Sequence, residues 1–223
     1  MASLYVSTVR ISDERAIAPV VFHRAKVGQA LAPEHHLVWS LFDRRATERN
    51  WLYRRLTDRA LRVVSATAPS SSPYATVLTA REQSYDWLEP GMRLCFRLRA
   101  NAVKRTIVNG KSKKVDVVMH ALLPLSREER GERRDEITRS AYLAWMQRQG
   151  EVHGYSVEPE VFQVVAHYRE RIARRNAAPA LINCGELVGL LKVSDPEALR
   201  ICLAEGIGAS RSFGCGLLEV ART

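Results

Sequence analysis

The order of strand and helix patterns in the first hundred residues restricts the fold more than any other feature. Four segments are β-rich or alternate apolar and polar side chains, namely residues 4–11, 51–56, 61–66 and 93–99. Between the first two, Pro33 and Glu34 open a helix that we expect to run to about Arg44, because proline fits a first helical turn and an acidic side chain suits its positive end. The order strand, helix, strand, strand, loop, strand is typical of ferredoxin-like domains.

A similar order follows in the second half of the chain. Apolar residues recur at helical spacing over 137–148, where Gly150 can end the helix, and a capping box starts at Ser126. Strand patterns cover 162–168 and 180–193, a helix is expected over 195–205, and a last strand over 216–220. We therefore predict an α+β chain of tandem ferredoxin-like (RRM-like, RAMP) domains with antiparallel sheets, residues 1–90 and 91–223. The 93–99 strand either closes the first sheet or opens the second.

The amino-acid composition indicates which kind of partner the protein binds and which cellular compartment it occupies. The 223 residues carry 34 Lys and Arg against 24 Asp and Glu, a formal charge of +10, which suggests RNA, DNA or an anionic membrane as partner. No apolar run is long enough for a membrane span, and the N-terminus lacks a secretory pattern. The four scattered cysteines predict a reduced cytoplasmic protein without a zinc ribbon. Neither a catalytic serine motif nor a metal-ligand constellation is evident, so we expect no metal and no cofactor.

Two segments concentrate positive charge. Eight basic residues and no acidic residue lie between positions 93 and 115, namely Arg93, Arg97, Arg99, Lys104, Arg105, Lys111, Lys113 and Lys114. A second cluster consists of Arg169, Arg171, Arg174 and Arg175. Either cluster is a solvated face or a surface that follows RNA phosphates, since an RNA stem is recognised largely by its shape and backbone.

A glycine-rich segment lies near the C-terminus at residues 206–216. Gly206, Gly208, Gly214 and Gly216 fall within eleven residues, and Ser210 and Ser212 flank Arg211. Glycine adopts left-handed backbone angles freely, so this segment is either a tight helix-to-strand turn or a backbone built for close approach to a ligand. Exposed N–H groups beside a basic residue suit phosphate.

Three segments together resemble one known family. They are residues 206–220 (GIGASRSFGCGLLEV), 96–105 (FRLRANAVKR) and 35–42 (HHLVWSLF). They are similar to the glycine-rich loop, the FRLRANPxK motif and the HxxLWxLF helix start of the CasE family, the CRISPR-associated repeat-RNA endoribonucleases of the type I-E Cascade complex. Arg211 stands where that family usually has lysine, and Ala102 where it usually has proline. The segments occur in the family's order, so the resemblance spans the whole chain.

The resemblance implies a function and a set of site residues. The implied activity is metal-independent cleavage of CRISPR precursor RNA at the base of its repeat hairpin. Attack of a ribose 2′-OH on the adjacent phosphate would give a 5′-OH and a 2′,3′-cyclic phosphate or 3′-phosphate. The HxxLW register assigns the catalytic histidine to His35, with His36 as runner-up. The expected RNA-binding residues are Arg97, Arg99, Lys104, Arg105, Arg169, Arg171, Arg174, Arg175, Gly206, Gly208, Ser210, Arg211, Ser212 and Gly214.

Further expectations concern the two histidines and the partners. On a helical wheel His35 lies at the edge of the apolar arc, and His36 lies towards solvent. Ala32 replaces a tyrosine that the family often has, and His23 or a residue of the glycine-rich segment could take over its role. The implied partners are the crRNA and other Cascade subunits, with no membrane. The alternative is an RNA-hairpin-binding subunit of a ribonucleoprotein that does not cleave.

Overall fold

Two antiparallel sheets organise the protein. The computed structural model describes residues 3–12, 15, 17, 18, 21, 27, 32–43, 48–108 and 110–223. The first sheet consists of β1 (Leu4–Ile11), β2 (Trp51–Thr57), β3 (Ala60–Ser65) and β4 (Ala75–Gln83), in the order β2-β3-β1-β4. Helix α1 (Pro33–Trp39) lies between β1 and β2 in the chain and packs its buried Leu37 and Val38 against the core of this sheet.

The second sheet contains the remaining long strands. Its strands are β5 (Arg93–Ala100), β8 (Tyr155–Val157), β9 (Gln163–Arg174), β10 (Ala177–Val193) and β11 (Leu218–Arg222). Their order is β11-β5-β10-β8, and β9 also pairs with β10. A separate hairpin of β6 (Val103–Val108) and β7 (Lys111–Asp116) follows β5. The helices are α2 (Val117–Leu122), α3 (Arg127–Glu132), α4 (Arg134–His153) and α5 (Pro196–Glu205).

Both sheets have the same topology. From one edge the first sheet reads β4-β1-β3-β2, and the second reads β11-β5-β10 followed by β8 and β9, which share one edge of the long strand β10. In each unit the strands, numbered in chain order, lie side by side in the order 4-1-3-2, which is the order of a split βαβ arrangement. The tandem ferredoxin-like fold is thereby confirmed. In the first unit, the segment 66–74 replaces the helix that would precede the last strand.

Three apolar clusters hold these layers together. One lies between α1 and the first sheet and contains Trp51. A larger one packs α4, through Tyr142 and Trp145, against the second sheet. A third joins the two sheets and contains Leu52 and Leu217. Burial of apolar area is the main favourable contribution to folding, so this third cluster helps to hold one unit against the other, together with the ion pair between Arg54 and Glu219. None of the helices in the described part of the chain is both long and apolar enough to cross a membrane.

Several sequence expectations are refined by the structure. Strand β5 opens the second sheet, whereas the exposed strand β4 at the edge of the first sheet was not expected. Helix α4 continues through Gly150 and ends at Gly154, which has φ of 74°. Gly150 serves close packing instead, since a Cβ there would lie 2.1 Å from the Tyr155 carbonyl oxygen. The capping box at Ser126 is confirmed. A domain boundary near residue 90 stays a prediction.

Candidate active site and nucleic-acid interface

Helix α1 places His35 against the aromatic core of the first sheet. The His35 Nε2 accepts a hydrogen bond from the Trp39 indole Nε1, at 3.1 Å. The ring centroids of His35 and Trp51 are 5.0 Å apart. The His35 Nδ1 is buried and has no hydrogen-bond partner among the described residues. His36 is half-buried as His35 is, so the expected contrast in exposure between the two histidines is not found.

The surroundings of His35 favour its neutral form. Burial, followed by the nearby charges of His36 and Arg49, lowers the pKa of His35 from 6.5 to about 4. Burial disfavours the charged form of any group, and positive neighbours add to that effect for an imidazole. At neutral pH the ring therefore carries a lone pair that can accept a proton. Ala32 directly precedes α1, and its methyl side chain cannot take part in proton transfer. His23 lies outside the described residues.

The glycine-rich segment forms the other wall of the site. A 3₁₀ turn, Arg211–Phe213, packs against α1, and the Tyr53 hydroxyl donates a hydrogen bond of 2.8 Å to the Ser212 carbonyl. Two of the glycines are required by a close crossing of the backbone. Gly206 and Gly216 have φ of 75° and 91°, and a Cβ on Gly206 would lie 2.6 Å from the Gly216 carbonyl oxygen. This crossing holds the two ends of the segment together, and Gly206 also lies against Leu52 of the first sheet.

Several polar groups of the segment are engaged inside the protein, and the phosphate-binding role expected for the segment stays a prediction. Backbone N–H groups of the segment donate to Arg99, Asn101 and carbonyls of the segment itself. The Ser210 hydroxyl donates to the Asn101 amide oxygen at 3.1 Å. Gly208 lies against Trp145, and Gly214 against Tyr53. Arg211 lines an open cavity.

That cavity, of about 390 Å³, lies where the start of β2 meets the end of α5 and the glycine-rich segment. It is lined by Leu4, Arg49, Asn50, Trp51, Ala66, Ala204, Glu205 and Arg211. The Arg49 guanidinium lies 5.8 Å from the centroid of the Trp51 ring. Burial and then the charge of Arg211 lower the pKa of Arg49. Sequence reasoning missed Arg49, because one arginine before a strand has no distinguishing signal.

Arg97 and Arg99 lie on the same strand, β5, and both were expected to bind RNA, but they differ in exposure. Arg97 is exposed, whereas Arg99 is only 8% exposed. The Arg99 Nη2 lies 2.5 Å from a Glu170 carboxylate oxygen, and its guanidinium lies 5.7 Å from the centroid of the Tyr168 ring. A buried charge requires such partners. Arg99 thus links β5 to β9, and the RNA contact expected for it stays a prediction.

The remaining basic residues lie on two hairpins. Arg105 is exposed on the β6–β7 hairpin, and Lys104 is half-buried there; Gly110 has φ of 71° in its turn, while Asn109 lies outside the described residues. On β9, Arg169, Arg171 and Arg174 are exposed, and Arg175 is half-buried in the turn before β10. The charges of Asp116, at the end of β7, and of Arg169 both act on the pKa of His167. The base of the β6–β7 hairpin therefore lies beside the face of the β9–β10 hairpin that carries His167.

The side chains that could bind a metal ion are dispersed in the described part of the chain. Within the described residues, no three His, Cys, Asp or Glu side chains are grouped so that they could hold a metal ion. The four cysteines are free thiols, and the Sγ atoms of Cys184 and Cys215 are 3.8 Å apart.

Comparison with known proteins places the chain in a family. Residues 4–222 match the family of CRISPR associated proteins. The chain is 29% identical over 203 residues to the CRISPR system Cascade subunit CasE of Escherichia coli K12, covering 84% of this chain and 89% of that protein. It is 31% identical over 136 residues to the CRISPR-associated endoribonuclease Cse3 of Thermus thermophilus, covering 60% of this chain and 58% of that protein.

The fold has a counterpart among solved structures. A structure of Thermus thermophilus Cse3 bound to an RNA representing a pre-cleavage complex superposes with a TM-score of 0.68 at 23% identity, covering 98% of this chain and 99% of that one. The resemblance to the CasE family that the three sequence segments indicated is thereby confirmed, and the chain belongs to the family of CRISPR-associated proteins.

Proposed function

We propose that this protein is an endoribonuclease that cleaves CRISPR precursor RNA at the base of its repeat hairpin, and that it keeps the guide RNA as a Cascade subunit in the cytoplasm. The relatives support this, since one is named a Cascade subunit and another an endoribonuclease. The observation that carries the proposal is the position of a neutral, half-buried histidine, His35, beside the glycine-rich segment that bears Arg211.

The proposed reaction uses the RNA as its own nucleophile. The 2′-OH attacks the adjacent phosphorus, the bond to the 5′-oxygen breaks, and the products carry a 5′-OH and a 2′,3′-cyclic phosphate or its 3′-phosphate. A group that accepts the 2′-OH proton is required, and a histidine whose pKa lies near 4 is available as a base at neutral pH. The 2′-OH would replace the Trp39 indole at the His35 Nε2. Arg211 would offset the charge that develops on the phosphorane.

The hairpin stem would be held at a distance from this site. Contacts with phosphates along a stem need exposed cations rather than base-reading groups. We assign this role to the exposed residues Arg97, Arg105, Arg169, Arg171 and Arg174, with the half-buried Lys104 and Arg175. Arg99 is left out because Glu170 already neutralises it.

One observation favours a second candidate function. The His35 Nε2 accepts a hydrogen bond from Trp39, the His35 Nδ1 is buried, and Ala32 supplies no hydroxyl. A non-cleaving RNA-hairpin-binding subunit would have the same fold and the same basic surfaces. Incubation of the protein with an end-labelled repeat hairpin in excess EDTA separates the two functions. We expect cleavage to persist, because the proposed reaction needs no metal; binding without cleavage under all conditions would support the second candidate.

Matched histidine variants test the site itself. A proton-transfer group typically contributes about 10²- to 10⁴-fold in rate. His35→Ala should therefore lose at least about a hundred-fold in single-turnover cleavage and still bind the hairpin, because phosphate contacts dominate affinity. His36→Ala should remain within about ten-fold of wild type, less than a catalytic group contributes. The opposite result would move the assignment to His36, and normal cleavage by both variants would contradict it.

A further inference from the structure

The two arginines of the cavity at the junction of the units stand out because neither forms an ion pair with another described residue. Among the described residues, no carboxylate lies within 4.0 Å of a guanidinium nitrogen of Arg49 or Arg211. Other shielded arginines do have such partners: Arg54 lies 3.0 Å from Glu219, and Arg99 lies 2.5 Å from Glu170. Half-buried like charges repel each other and lose hydration, so an arrangement of this kind is stabilised when an anion enters between them.

The cavity is also suited to a single small anion. Glu205, the carboxylate on its wall, is exposed at the end of α5, which leaves the cavity with two positive charges and one negative charge. The Trp51 ring lies beside the Arg49 guanidinium and restricts where that group can go. A guanidinium held against an aromatic ring presents its N–H groups in a fixed plane, a geometry that matches two oxygens of one phosphate.

The position of this cavity relative to His35 links it to the proposed reaction. His35 and Arg49 lie beside the same Trp51 ring, with separations of 5.0 Å between ring centroids and 5.8 Å from the guanidinium carbon to the Trp51 centroid. The charge of Arg49 acts on His35, and the charge of Arg211 acts on Arg49. An anion bound by both arginines would therefore lie within electrostatic range of the imidazole, although His35 does not itself line the cavity.

We propose that Arg49 and Arg211 together bind the scissile phosphate, with Trp51 positioning the Arg49 guanidinium. This inference rests on the proposed function and adds to it a residue, Arg49, that the family motifs did not indicate. Two cations suit a phosphodiester that gains a second negative charge as the phosphorane forms. Burial is the main cause of the low pKa of His35, and the charges of His36 and Arg49 add to it, so a phosphate that neutralises Arg49 would raise the proton affinity of the imidazole.

The test measures the contribution of one phosphate to binding. Two RNA hairpins of identical sequence are prepared, one ending in a 3′-phosphate at the cleavage position and the other in a 3′-OH. Their dissociation constants are measured at fixed salt for wild type and for Arg49→Ala, Arg49→Gln, Arg211→Ala and Arg81→Ala. Arg81 is an exposed arginine on β4 and serves as the matched control.

We expect wild type and Arg81→Ala to prefer the 3′-phosphate hairpin by about ten-fold or more, the value of a charge-assisted hydrogen bond. The Arg49 and Arg211 variants should lose that preference and still bind the 3′-OH hairpin as wild type does, which also shows that they are folded. Glutamine keeps most of the aliphatic part of the Arg49 side chain. A loss of preference shared by Arg49→Ala and Arg49→Gln is therefore due to the lost charge rather than to lost packing.

Two outcomes would overturn the inference, and they are distinguishable from failure of the proposed function. If wild type cleaves the hairpin but shows no preference for the 3′-phosphate, or if the preference survives in both Arg49 variants, the phosphate is bound elsewhere and the nuclease assignment stands. If wild type binds neither hairpin, the proposed function fails, and the phosphate site fails with it.

Discussion

The burial of His35 predicts a specific loss of stability on acidification. Its pKa is about 4 in the folded protein, against an ordinary value of 6.5. Between these values the unfolded chain binds a proton that the folded chain does not, so the contribution of His35 to stability is complete above about pH 6.5 and is lost as pH falls towards 4. Between about pH 7.5 and about pH 5, this linkage lowers the free energy of unfolding by about 2 kcal/mol.

The measurement compares urea unfolding at these two pH values for wild type, His35→Asn and His120→Asn. Asparagine does not titrate, so any packing loss in His35→Asn affects both pH values alike. Burial also lowers the pKa of His153 and His167, and all three proteins retain those contributions. His35→Asn should lose about 2 kcal/mol less on acidification than wild type, whereas His120→Asn should follow wild type. Parallel losses in all three proteins would refute the claim that His35 is held neutral by its surroundings.

Two further predictions concern the glycine-rich segment and the arginines of β9. Gly216→Ala places a Cβ 2.6 Å from the Ile207 carbonyl oxygen at φ of 91°, whereas Gly91→Ala meets nothing within 4 Å at φ of 85°. We expect a loss of about 1–2 kcal/mol at Gly91 and about 1–3 kcal/mol more at Gly216 in urea unfolding; equal losses would contradict the close crossing. Replacing Arg169 and Arg171 by alanine should reduce the log–log salt slope of hairpin binding by roughly 0.7–0.9 for each lost phosphate contact, and an unchanged slope would show that they face away from RNA.

The sequence predicted several elements that have an uninterrupted apolar period, and it failed where tertiary packing decided the outcome. Strands β1, β2 and β3 each have buried residues in a β-rich run. Strand β4 went unnoticed because most of its side chains are exposed at a sheet edge, where little apolar pattern is needed. Gly150 resembled a helix end because glycine often follows one, but close approach of the Tyr155 backbone explains its presence inside α4.

The site was predictable to the extent that it lies in short motifs. His35 and Arg211 belong to segments with a recognisable spacing, whereas Arg49 became a candidate only through its neighbours in space. Arg97 and Arg99 show what sequence spacing alone does not reveal. They are two residues apart on one strand and have the same sequence character, but one is exposed and the other is covered by Glu170 and Tyr168 from the adjacent hairpin. Strand alternation assigns side chains to a face and does not say what covers that face.

The location of the candidate site explains why the two ferredoxin-like units must be held in register. His35 and Arg49 belong to the first unit, and Arg211 belongs to the second, so neither unit contains the complete arrangement. The contacts that set their relative position include the hydrogen bond from Tyr53 to the Ser212 carbonyl, the ion pair between Arg54 and Glu219, and the apolar cluster that contains Leu217. Proton transfer requires hydrogen-bond reach between the base and the reacting hydroxyl. Positioning errors of about 1 Å can cost on the order of a hundred-fold in rate. The close backbone crossing therefore contributes to the proposed reaction by holding together the two ends of the loop that carries Arg211, while the 3₁₀ turn of that loop packs against α1.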